Sequence, residues 1–452
     1  MLDYEFIKNC NIDSSKVDID KSHLSFQPNT NYITIDLYLK KESNVICPVC
    51  GRNDSKIRGS RCNKMKSTII NSQNAIINVH RRVYKCSCGK TFTEDNPVRH
   101  DGKTITLQKE ISILNALRDS SKTFTSVAKE FDVSTTYVIN LFDVKVDLKR
   151  LKLPKVLCID EVYAKYLVDH SYCCVLYAPQ WKMIVDILPS RWKTNLIDYF
   201  SRIPLEEKKN VEFVSMDLWE PYRDTIKLCF PWVKICADPY HVTKYLVLGF
   251  NNFRIRIMRK YESKKEDNTG YYWLYKKYWK FLIIDFSKIT DKPIRVSKSG
   301  MTLTKYQIRE YMLSIDPKLA LAYELKEAYL SFNAKATIEN AEELLNSLIS
   351  EFKEAHIPEY ADFIRIMGKW RNEIINSFNR VNGHKITNGP MERVNRDIKS
   401  IFRNSFGSKN FNRMRNRVIF CINETAPILA WRKPKSNKIL KGPRGPYKKK
   451  EK

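Results

Sequence analysis

The sequence predicts an α/β protein in which a mixed sheet carries paired carboxylates. Beyond Leu153-Pro154, short apolar runs alternate with helical patterns, and two of these runs close on Asp160 and Asp217. A carboxylate that ends an apolar strand is costly to bury without a partner, so it is expected to face a ligand at the sheet edge. Paired cysteines nearer the N-terminus predict a separate small β module.

Eight elements are predicted in the region that carries these aspartates. In chain order they are strands Val156–Ile159, Tyr172–Ala178 and Met183–Leu188, a helix Thr194–Ile203, a strand Val211–Met216, a helix Pro221–Leu228, a strand Val233–Ala237 and a helix from about Tyr240. Three strands followed by alternating helix and strand is the order of a ribonuclease-H-like fold. Its first and fourth strands are neighbours, so Asp160 and Asp217, each at a strand end, are expected to converge.

Converging carboxylates predict a divalent cation. Mg²⁺ prefers oxygen ligands and keeps several waters, and two such ions roughly 3.5–4 Å apart can activate the attacking oxygen and stabilise the leaving one. Without metal the carboxylates would repel one another and at least one pKa would rise. Glu392, at the predicted start of a later helix, is the third candidate. Taken singly, Asp160 and Asp217 fit turn or helix caps, and Glu392 fits an ion pair with Arg396.

The charge balance favours a nucleic-acid partner. The 452 residues carry 79 basic and 50 acidic side chains, a net charge of +29, and such a field attracts polyanions. An acidic membrane surface is the other interpretation, but the chain has no apolar run of membrane-spanning length and no basic amphipathic anchor. Met1-Leu-Asp-Tyr-Glu-Phe6 lacks the pattern of a signal peptide, so we expect a cytoplasmic protein.

Two cysteine pairs predict one structural Zn²⁺. Cys47 and Cys50 form one turn with a following glycine, and Cys86 and Cys88 form the other, with alternating strand patterns between them. Four thiolates would close the coordination shell, which leaves no position for substrate. Four unrelated buried cysteines are the alternative. Cys62, between the pairs, fits a spare thiol, and His80 and His100 are weaker ligand candidates.

A helix-turn-helix is predicted between the zinc module and the sheet. Val127, Ala128 and Phe131 line one apolar face, and Ser134 is a good N-cap for a recognition helix that ends near Phe142. A plain three-helix packing unit would give the same apolar pattern. Four residues are expected to face DNA, namely Thr135, Thr136, Tyr137 and Asn140. Lys122, Thr123 and Lys129 are candidate phosphate contacts.

The gap between Asp238 and Glu392 is too long for a plain connection, so a helical insertion is expected. Trp273 and Trp279 within it fit core packing better than base stacking. Basic residues recur at helical spacing after Glu392 and are expected to follow a phosphate backbone: Arg393, Arg396, Lys399 and Arg403. The predicted boundaries are 1–103 (zinc module), 104–152 (helix-turn-helix), 153–246 (catalytic domain, first part), 247–380 (helical insertion), 381–431 (catalytic domain, C-terminal part) and 432–452 (disordered basic tail).

Several blocks together resemble the DDE transposases of bacterial insertion sequences, specifically the ISL-three family. They are Cys47-Pro-Val-Cys50-Gly with Cys86-Ser-Cys88-Gly-Lys-Thr-Phe-Thr-Glu, Ile159-Asp160-Glu161, Ser215-Met-Asp217-Leu-Trp-Glu-Pro-Tyr222, Ala237-Asp238-Pro-Tyr-His241-Val, and Asn388-Gly-Pro-Met-Glu392-Arg-Val-Asn-Arg-Asp-Ile398-Lys399. The resemblance spans nearly the whole chain and is specific only when the blocks are taken together.

The resemblance implies a catalytic triad of Asp160, Asp217 and Glu392 that holds two Mg²⁺ or Mn²⁺ ions. It implies binding to terminal inverted repeats and target DNA by a homo-oligomer, cutting at the element ends, and joining of the freed 3′ hydroxyls. Asp238 and His241 resemble a shared accessory motif, for which a structural Asp–His pair is an equal alternative. A regulator derived from such an enzyme but unable to cut DNA is the second functional reading, and a nuclease without strand transfer is a third.

Overall fold

The computed structural model describes residues 4–9, 12–26, 32–42, 44–69, 73–99, 102–169, 171–262, 270–284, 292–296, 300–405 and 409–430. The predicted basic tail, 432–452, and His100 lie outside these residues. The chain divides into two compact units. The first comprises the residues up to Leu148 together with those from Glu424, and the second runs from Lys149 to Asn423. No helix in the described ranges is both long enough and apolar enough to cross a membrane.

A five-stranded sheet forms most of the first unit. After helix α1 (Tyr4–Asn9) come strands β1 (Val17–Phe26), β2 (Ile33–Leu39), β3 (Lys56–Thr68), β4 (Asn74–Lys85) and β5 (Thr91–Thr93). The order is β1-β2-β4-β3, with β5 paired to β4. The β2–β4 pair is parallel and the other pairs are antiparallel. Buried side chains alternate along β4 at Ala75, Ile77 and Val79, the period expected of a strand with one face in a core.

Three short helices follow this sheet in the first unit. They are α2 (Leu107–Ala116), α3 (Phe124–Glu130) and α4 (Thr135–Lys145). The predicted N-cap is confirmed, since the Ser134 side chain accepts from the Tyr137 N–H. Val127, Val138 and Phe142 are fully buried, so α3 and α4 share an apolar core.

The segment from Glu424 to Ala430 is held by the first unit. The Leu429 N–H donates to the Lys145 carbonyl at 2.8 Å. The Arg118 guanidinium donates to the carbonyls of Glu424, at 2.9 Å, and Ala426, at 2.6 Å. The boundaries predicted from the sequence put these residues in the C-terminal part of the catalytic domain, 381–431. A pattern of apolar residues could not show that Arg118 satisfies their carbonyl groups.

A mixed five-stranded sheet forms the centre of the second unit. Its strands are β6 (Val156–Tyr163), β7 (Tyr172–Ala178), β8 (Met183–Leu188), β9 (Phe213–Met216) and β10 (Lys234–Ala237), in the order β10-β9-β6-β7-β8. Strands β10, β9 and β6 are parallel, whereas β7 is antiparallel to both β6 and β8. Helices α5 (Lys193–Ser201), α6 (Leu205–Lys208) and α7 (Glu220–Cys229) accompany it, and Leu196, Phe200 and Ile226 share a core with alternate residues of the strands.

Strand β6 is longer than the sequence predicted, so Asp160 does not end it. The predicted strand ended at Ile159. Pairing of β6 with β9 does end there, with Ile159 opposite Met216. On its other side β6 stays paired with β7 as far as Tyr163. Strand β6 therefore extends beyond Asp160 because it remains paired with the antiparallel strand β7.

Residues 239–376 are mostly helical. They contain α8 (Pro239–Lys260), α9 (Tyr271–Tyr278), α10 (Lys280–Ile283), the hairpin β11 (Pro293–Arg295) and β12 (Thr302–Thr304), then α11 (Lys305–Ile315), α12 (Pro317–Lys335), α13 (Ala341–Glu354), α14 (Ala361–Lys369) and α15 (Arg371–Asn376). They share one large apolar core that includes Phe250 and Trp370, and Trp273 packs against it as the sequence favoured. The boundary predicted between residues 246 and 247 falls inside α8, which continues unbroken.

The chain returns to the sheet after a short hairpin, β13 (Arg380–Val381) and β14 (His384–Lys385). Helices α16 (Gly389–Asn404) and α17 (Phe411–Ile422) follow. Helix α16 is strongly amphipathic, with Met391, Val394 and Ile398 buried. The Asn423 side chain after α17 bonds both the N–H and the carbonyl of Ile184 in β8, which fixes the end of this unit to the sheet.

Candidate active site and zinc centre

Three aspartates lie side by side at one end of the parallel strands. Met216 in β9 is the register partner of both Ile159 in β6 and Ala237 in β10. The next residue in each segment is an aspartate, which gives the row Asp160, Asp217 and Asp238. Residues at equivalent register positions of parallel strands present their side chains to the same face. Hence the sheet brings together Asp160 and Asp217, as expected, and places Asp238 beside them.

The row concentrates negative charge in a half-buried place. Burial and, next in size, the neighbouring Asp217 together raise the pKa of Asp160 to about 7. Burial likewise raises the pKa of Asp217 to about 7, with Asp238 as the next contributor. The pKa of Asp238 is raised mainly by burial. Clustered carboxylates with raised pKa values are what a divalent cation would stabilise, and oxygen donors suit Mg²⁺, so the residues present fit such an ion.

His241 approaches the middle aspartate from the first turn of α8. Its Nε2 lies 3.1 Å from Asp217 Oδ1. The contact has ion-pair distance without hydrogen-bond alignment, so this buried oxygen has no hydrogen-bond partner in the described part of the chain. Ligand atoms of Asp217, Asp238 and His241 all lie within 4.8 Å of one another. An unsatisfied buried carboxylate oxygen in such a cluster is a position for a cation or a solvent molecule.

Four hydrogen bonds attach the start of α16 to the aspartate row. Asp238 Oδ1 accepts from the Thr387 hydroxyl at 3.0 Å and from the Asn388 N–H at 3.3 Å. The Asn388 amide donates to the Ile159 carbonyl at 3.1 Å. Almost two turns into the helix, the Asn395 amide donates to Asp160 Oδ2 at 2.6 Å. Asp238 thus has a definite structural task, which is to hold the loop from which α16 begins.

Glu392 lies between these attachment points, in the first turn of α16. Its side chain is exposed, and its charge contributes to the raised pKa of Asp238, so it is within electrostatic range of the row. Asn395 follows three residues later on the same helix face. Glu392 and Asp160 are outside the group of ligand atoms within 4.8 Å formed by Asp217, Asp238 and His241. The structure therefore places Glu392 within electrostatic range of Asp238 but outside that ligand group.

A stacked arginine lies at the edge of the row and was not found from the sequence. The Arg191 guanidinium is 4.3 Å from the ring centroid of Tyr172 and 4.7 Å from that of Trp219, and it pairs with the Glu161 carboxylate at 2.5 Å. The Glu161 N–H in turn donates to Asp160 Oδ1 at 2.7 Å. Arg191 therefore joins the segment after Asp160 to the turn after Asp217. Asn388 and Asn395 were also missed as site residues, although the motif block contains both.

The four predicted zinc ligands converge in the first unit. Their sulfur atoms lie within 4.8 Å of one another, with Cys47–Cys88 at 3.8 Å and Cys50–Cys86 at 3.5 Å. Zn–S bonds of 2.3 Å in a tetrahedron require sulfur atoms roughly 3.8 Å apart. Backbone N–H groups, first that of Cys50, lower the pKa of the Cys47 thiol to about 6. The spacing, together with the readily formed thiolate of Cys47, is compatible with zinc.

The two turns that carry these cysteines have matching geometry. The Gly51 N–H donates to the Cys47 carbonyl at 3.0 Å, and the Gly89 N–H donates to the Cys86 carbonyl at 2.9 Å. Both glycines have left-handed φ angles, +73° and +85°, which side chains with a Cβ rarely adopt. Cys62, expected to be a spare thiol, and His80, a weaker ligand candidate, are both outside the four-cysteine group.

The predicted DNA-facing residues differ in how free their polar groups are. Thr136 and Asn140 are exposed and Thr135 is half-buried, whereas the Tyr137 hydroxyl donates to Glu110 at 2.7 Å. Lys122, a candidate phosphate contact, is paired with Glu130 at 2.7 Å. On α16 all four predicted basic residues are exposed and form one stripe: Arg393, Arg396, Lys399 and Arg403.

Comparison with known families gives one match. Residues 157–418, more than half of the chain, match the family model of the ISL-three type of DDE transposase, whose description is transposase. The matched range contains the aspartate row and Glu392. A search of curated proteins found no match.

Proposed function

Because the chain belongs to the ISL-three family of DDE transposases, we propose that it binds the terminal inverted repeats of its own element and cuts and joins DNA at the aspartate row. The family implies DNA as the partner and a divalent metal as the cofactor. The observation that carries the finer proposal is the register that puts Asp160 and Asp217 on neighbouring parallel strands. The sheet order, with antiparallel strands beyond β6, supports a ribonuclease-H-like fold.

In this proposal Asp160, Asp217 and Glu392 hold the catalytic metal. Bound Mg²⁺ would supply activation of the attacking water or 3′ hydroxyl and stabilisation of the leaving oxygen. Asn395 fixes the orientation of the Asp160 carboxylate through the 2.6 Å bond to Oδ2. Because the Glu161 N–H occupies Oδ1, both oxygens of Asp160 have a defined direction. The exposed Glu392 completes the ligand set from the helix that Asp238 attaches to the sheet.

His241 and Asp238 have separate roles in the proposal. His241, 3.1 Å from Asp217 Oδ1, orients the middle carboxylate and partly offsets its charge when protonated. Asp238 is occupied by Thr387 and Asn388 and acts as a positioning residue for the start of α16. Both residues therefore serve the triad without replacing a member of it.

The first unit supplies sequence recognition in this proposal. Helices α3 and α4 with the Asp132 turn, whose φ of +47° reverses the chain, support a helix-turn-helix in which α4 enters the major groove. Thr136 and Asn140 would contact base edges, while Tyr137 would first have to release Glu110. The four cysteines would hold one structural Zn²⁺. Residues 247–380 are proposed as the helical insertion of the catalytic domain.

A regulator that binds DNA without cutting it is not favoured. Such a protein would have no need to retain Asp160 and Asp217, whose pKa values are raised by burial first and then by a neighbouring carboxylate, that of Asp217 for Asp160 and that of Asp238 for Asp217. Keeping like charges together in a half-buried place is unfavourable unless a cation binds there. The intact row therefore supports cleavage.

The test compares Asp217→Asn with wild-type protein on duplexes that carry the DNA flanking the coding region. We expect Mg²⁺-dependent strand cutting to fall by more than about 100-fold, since even indirect ligands contribute 10–100-fold, while DNA binding persists. Asp198→Asn, which neutralises an exposed carboxylate on α5, is the matched control and should cut normally. Undiminished cutting by Asp217→Asn would overturn the assignment of the row as the catalytic site.

A further inference from the structure

The two edges of the sheet in the first unit differ in charge. Strand β1 at one edge carries Asp18, Asp20 and Lys21, which is a mixed set. Strand β3 at the other edge carries five basic residues and no acidic one: Lys56, Arg58, Arg61, Lys64 and Lys66. Charges of either sign are enough to protect an edge strand from pairing with another chain, as β1 illustrates. The five positive charges along β3 are more than protection of the edge requires, and they indicate an anionic partner.

Most of these cations are free to meet such a partner. Lys56, Arg58, Arg61 and Lys64 are exposed, and none makes an ion pair or side-chain hydrogen bond with any residue that the structure describes. Lys66 is different, because its ammonium pairs with Asp132 at 2.7 Å. The outer side of β3 is open as well, since among the described residues a β-bridge there occurs only at Lys66, with Ile105.

Arg61 and Arg81 oppose each other directly across β3 and β4. Like charges at opposed positions of an antiparallel pair destabilise the sheet. The Arg81 guanidinium is fixed by Asn63, at 2.7 Å, and by the Glu94 carbonyl, at 2.7 Å, whereas Arg61 makes no such contact within the part of the chain that the structure describes. The Asp95 and Glu94 charges offset part of this repulsion at Arg81. An anion between the two guanidinium groups would reduce what remains, and it would give Arg61 a partner.

Backbone geometry at the same place permits close approach. A register shift lies between Ile57 and Gly59, where β3 bulges. A Cβ built on Gly59 meets no atom within 4 Å, so the strand surface there is open to solvent. Glycine at a bulge of an edge strand is a position where another backbone can approach closely.

The basic edge continues into the surface of the three-helix region. Lys64 and Lys66 line an open groove of ≈ 650 Å³ together with Ser134 and Tyr137, at the start of α4. Free cations on β3 are two to three residues apart, which is about 7–10 Å along the strand. Because the phosphates of one DNA strand also turn around the helix axis as they rise along it, that spacing is on the scale of the distance between successive phosphates of one strand.

We propose that the β3 edge, from Lys56 to Lys64, binds the phosphate backbone of duplex DNA next to the segment read by α4. This inference rests on the proposed function, since it assumes a DNA substrate, and it adds the surface that positions the duplex. The edge makes no base-specific contact, so it contributes affinity without sequence preference. Gly59 allows the sugar–phosphate chain to lie against the strand.

The test measures binding of the full-length, zinc-loaded chain to two fluorescent duplexes, one with the element end and one of unrelated sequence, across a series of salt concentrations. The Arg58→Ala/Arg61→Ala variant should lose about two phosphate contacts, so its slope of log K against log salt should fall by about 1.8. The loss should be equal on both duplexes. The matched control is Lys16→Ala/Lys21→Ala, because Lys21 lies on β1 at the opposite edge of the sheet and Lys16 lies just before that strand. This variant should keep the wild-type slope.

Three results would overturn the inference. The first is an unchanged slope in Arg58→Ala/Arg61→Ala while wild-type protein binds and cuts DNA, which leaves the proposed function intact. The second is a loss confined to the element-end duplex, which would assign the edge to base recognition. The third is unchanged DNA binding with lost binding to anionic phosphatidylserine vesicles.

Zinc content equal to wild type shows that the variant is folded, and Arg61→Gln alone should give half the change in the salt slope. Failure of the wild-type chain to bind DNA at all would instead refute the proposed function.

Discussion

Replacing Asp217 by asparagine should stabilise the magnesium-free protein at alkaline pH, although it removes a proposed metal ligand. Burial raises the pKa of Asp217 from 3.8 to about 7. At 1.36 kcal/mol for each pKa unit, ionising this carboxyl in the folded protein costs roughly 4 kcal/mol. The asparagine has no charge to bury and also removes a neighbour that raises the pKa of Asp160.

The sign of the pH dependence follows from the raised pKa. The folded protein binds the proton more tightly than the unfolded chain, so the stability that this group contributes is fully present below about pH 4. It is lost progressively as the pH rises through about 7. Between pH 5 and pH 8 the wild-type protein should therefore lose about 2–3 kcal/mol more than Asp217→Asn does.

The measurement is urea unfolding of zinc-loaded, magnesium-free protein at several pH values, followed by a probe in the second unit. Asp198→Asn, an exposed carboxylate paired with Arg202, controls for loss of one negative charge. Added Mg²⁺ should close the gap by stabilising wild-type protein at pH 8, since an ion that binds only the folded state stabilises it. A stability difference between wild type and Asp217→Asn that stays constant from pH 5 to pH 8 would refute the reasoning.

Two further predictions concern other parts of the fold. Cys50→Ser should lose one zinc equivalent by elemental analysis, whereas Cys62→Ser, an exposed cysteine outside the four-sulfur group, should retain it; equal metal content in both would remove the zinc assignment. Gly249→Ala should destabilise the second unit by about 1–3 kcal/mol in thermal unfolding, because a Cβ there would lie 2.6 Å from the Glu359 carbonyl oxygen. Gly368→Ala, at a helical position with open space, should be neutral or stabilising by up to about 1 kcal/mol, and matching effects at the two glycines would contradict the packing argument.

Short-range patterns predicted much of the second unit. Strands Tyr172–Ala178 and Met183–Leu188 have the predicted bounds, because each is an apolar run with clear breaks at both ends. Convergence of Asp160 and Asp217 followed from strand order alone. Asp238 was singled out from its motif, yet its place in the row depends on the register of β10 against β9, which the sequence does not contain.

Features that depend on contacts between distant segments were missed. Arg191 reaches Tyr172 and Trp219 through the folded sheet, and no local pattern distinguishes it from an ordinary surface arginine. Tyr137 was expected to point outward, but its hydroxyl is bonded to Glu110, a partner in another helix. The extension of β6 past Asp160 likewise comes from its neighbour β7, because a half-exposed acidic stretch has little strand propensity of its own.

The stacked Arg191 has a mechanical consequence for the proposed metal pocket. Two carboxylates that repel each other would drift apart in the absence of an ion, and the entropy of reassembling them would weaken metal binding. The Arg191 guanidinium stacks on Tyr172 of β7 and on Trp219 after Asp217, and it forms an ion pair with Glu161, the residue after Asp160. These contacts hold the two segments together and resist their separation. The free-energy cost of bringing the like charges together is therefore offset by contacts formed during folding, and the proposed site is preorganised for an ion.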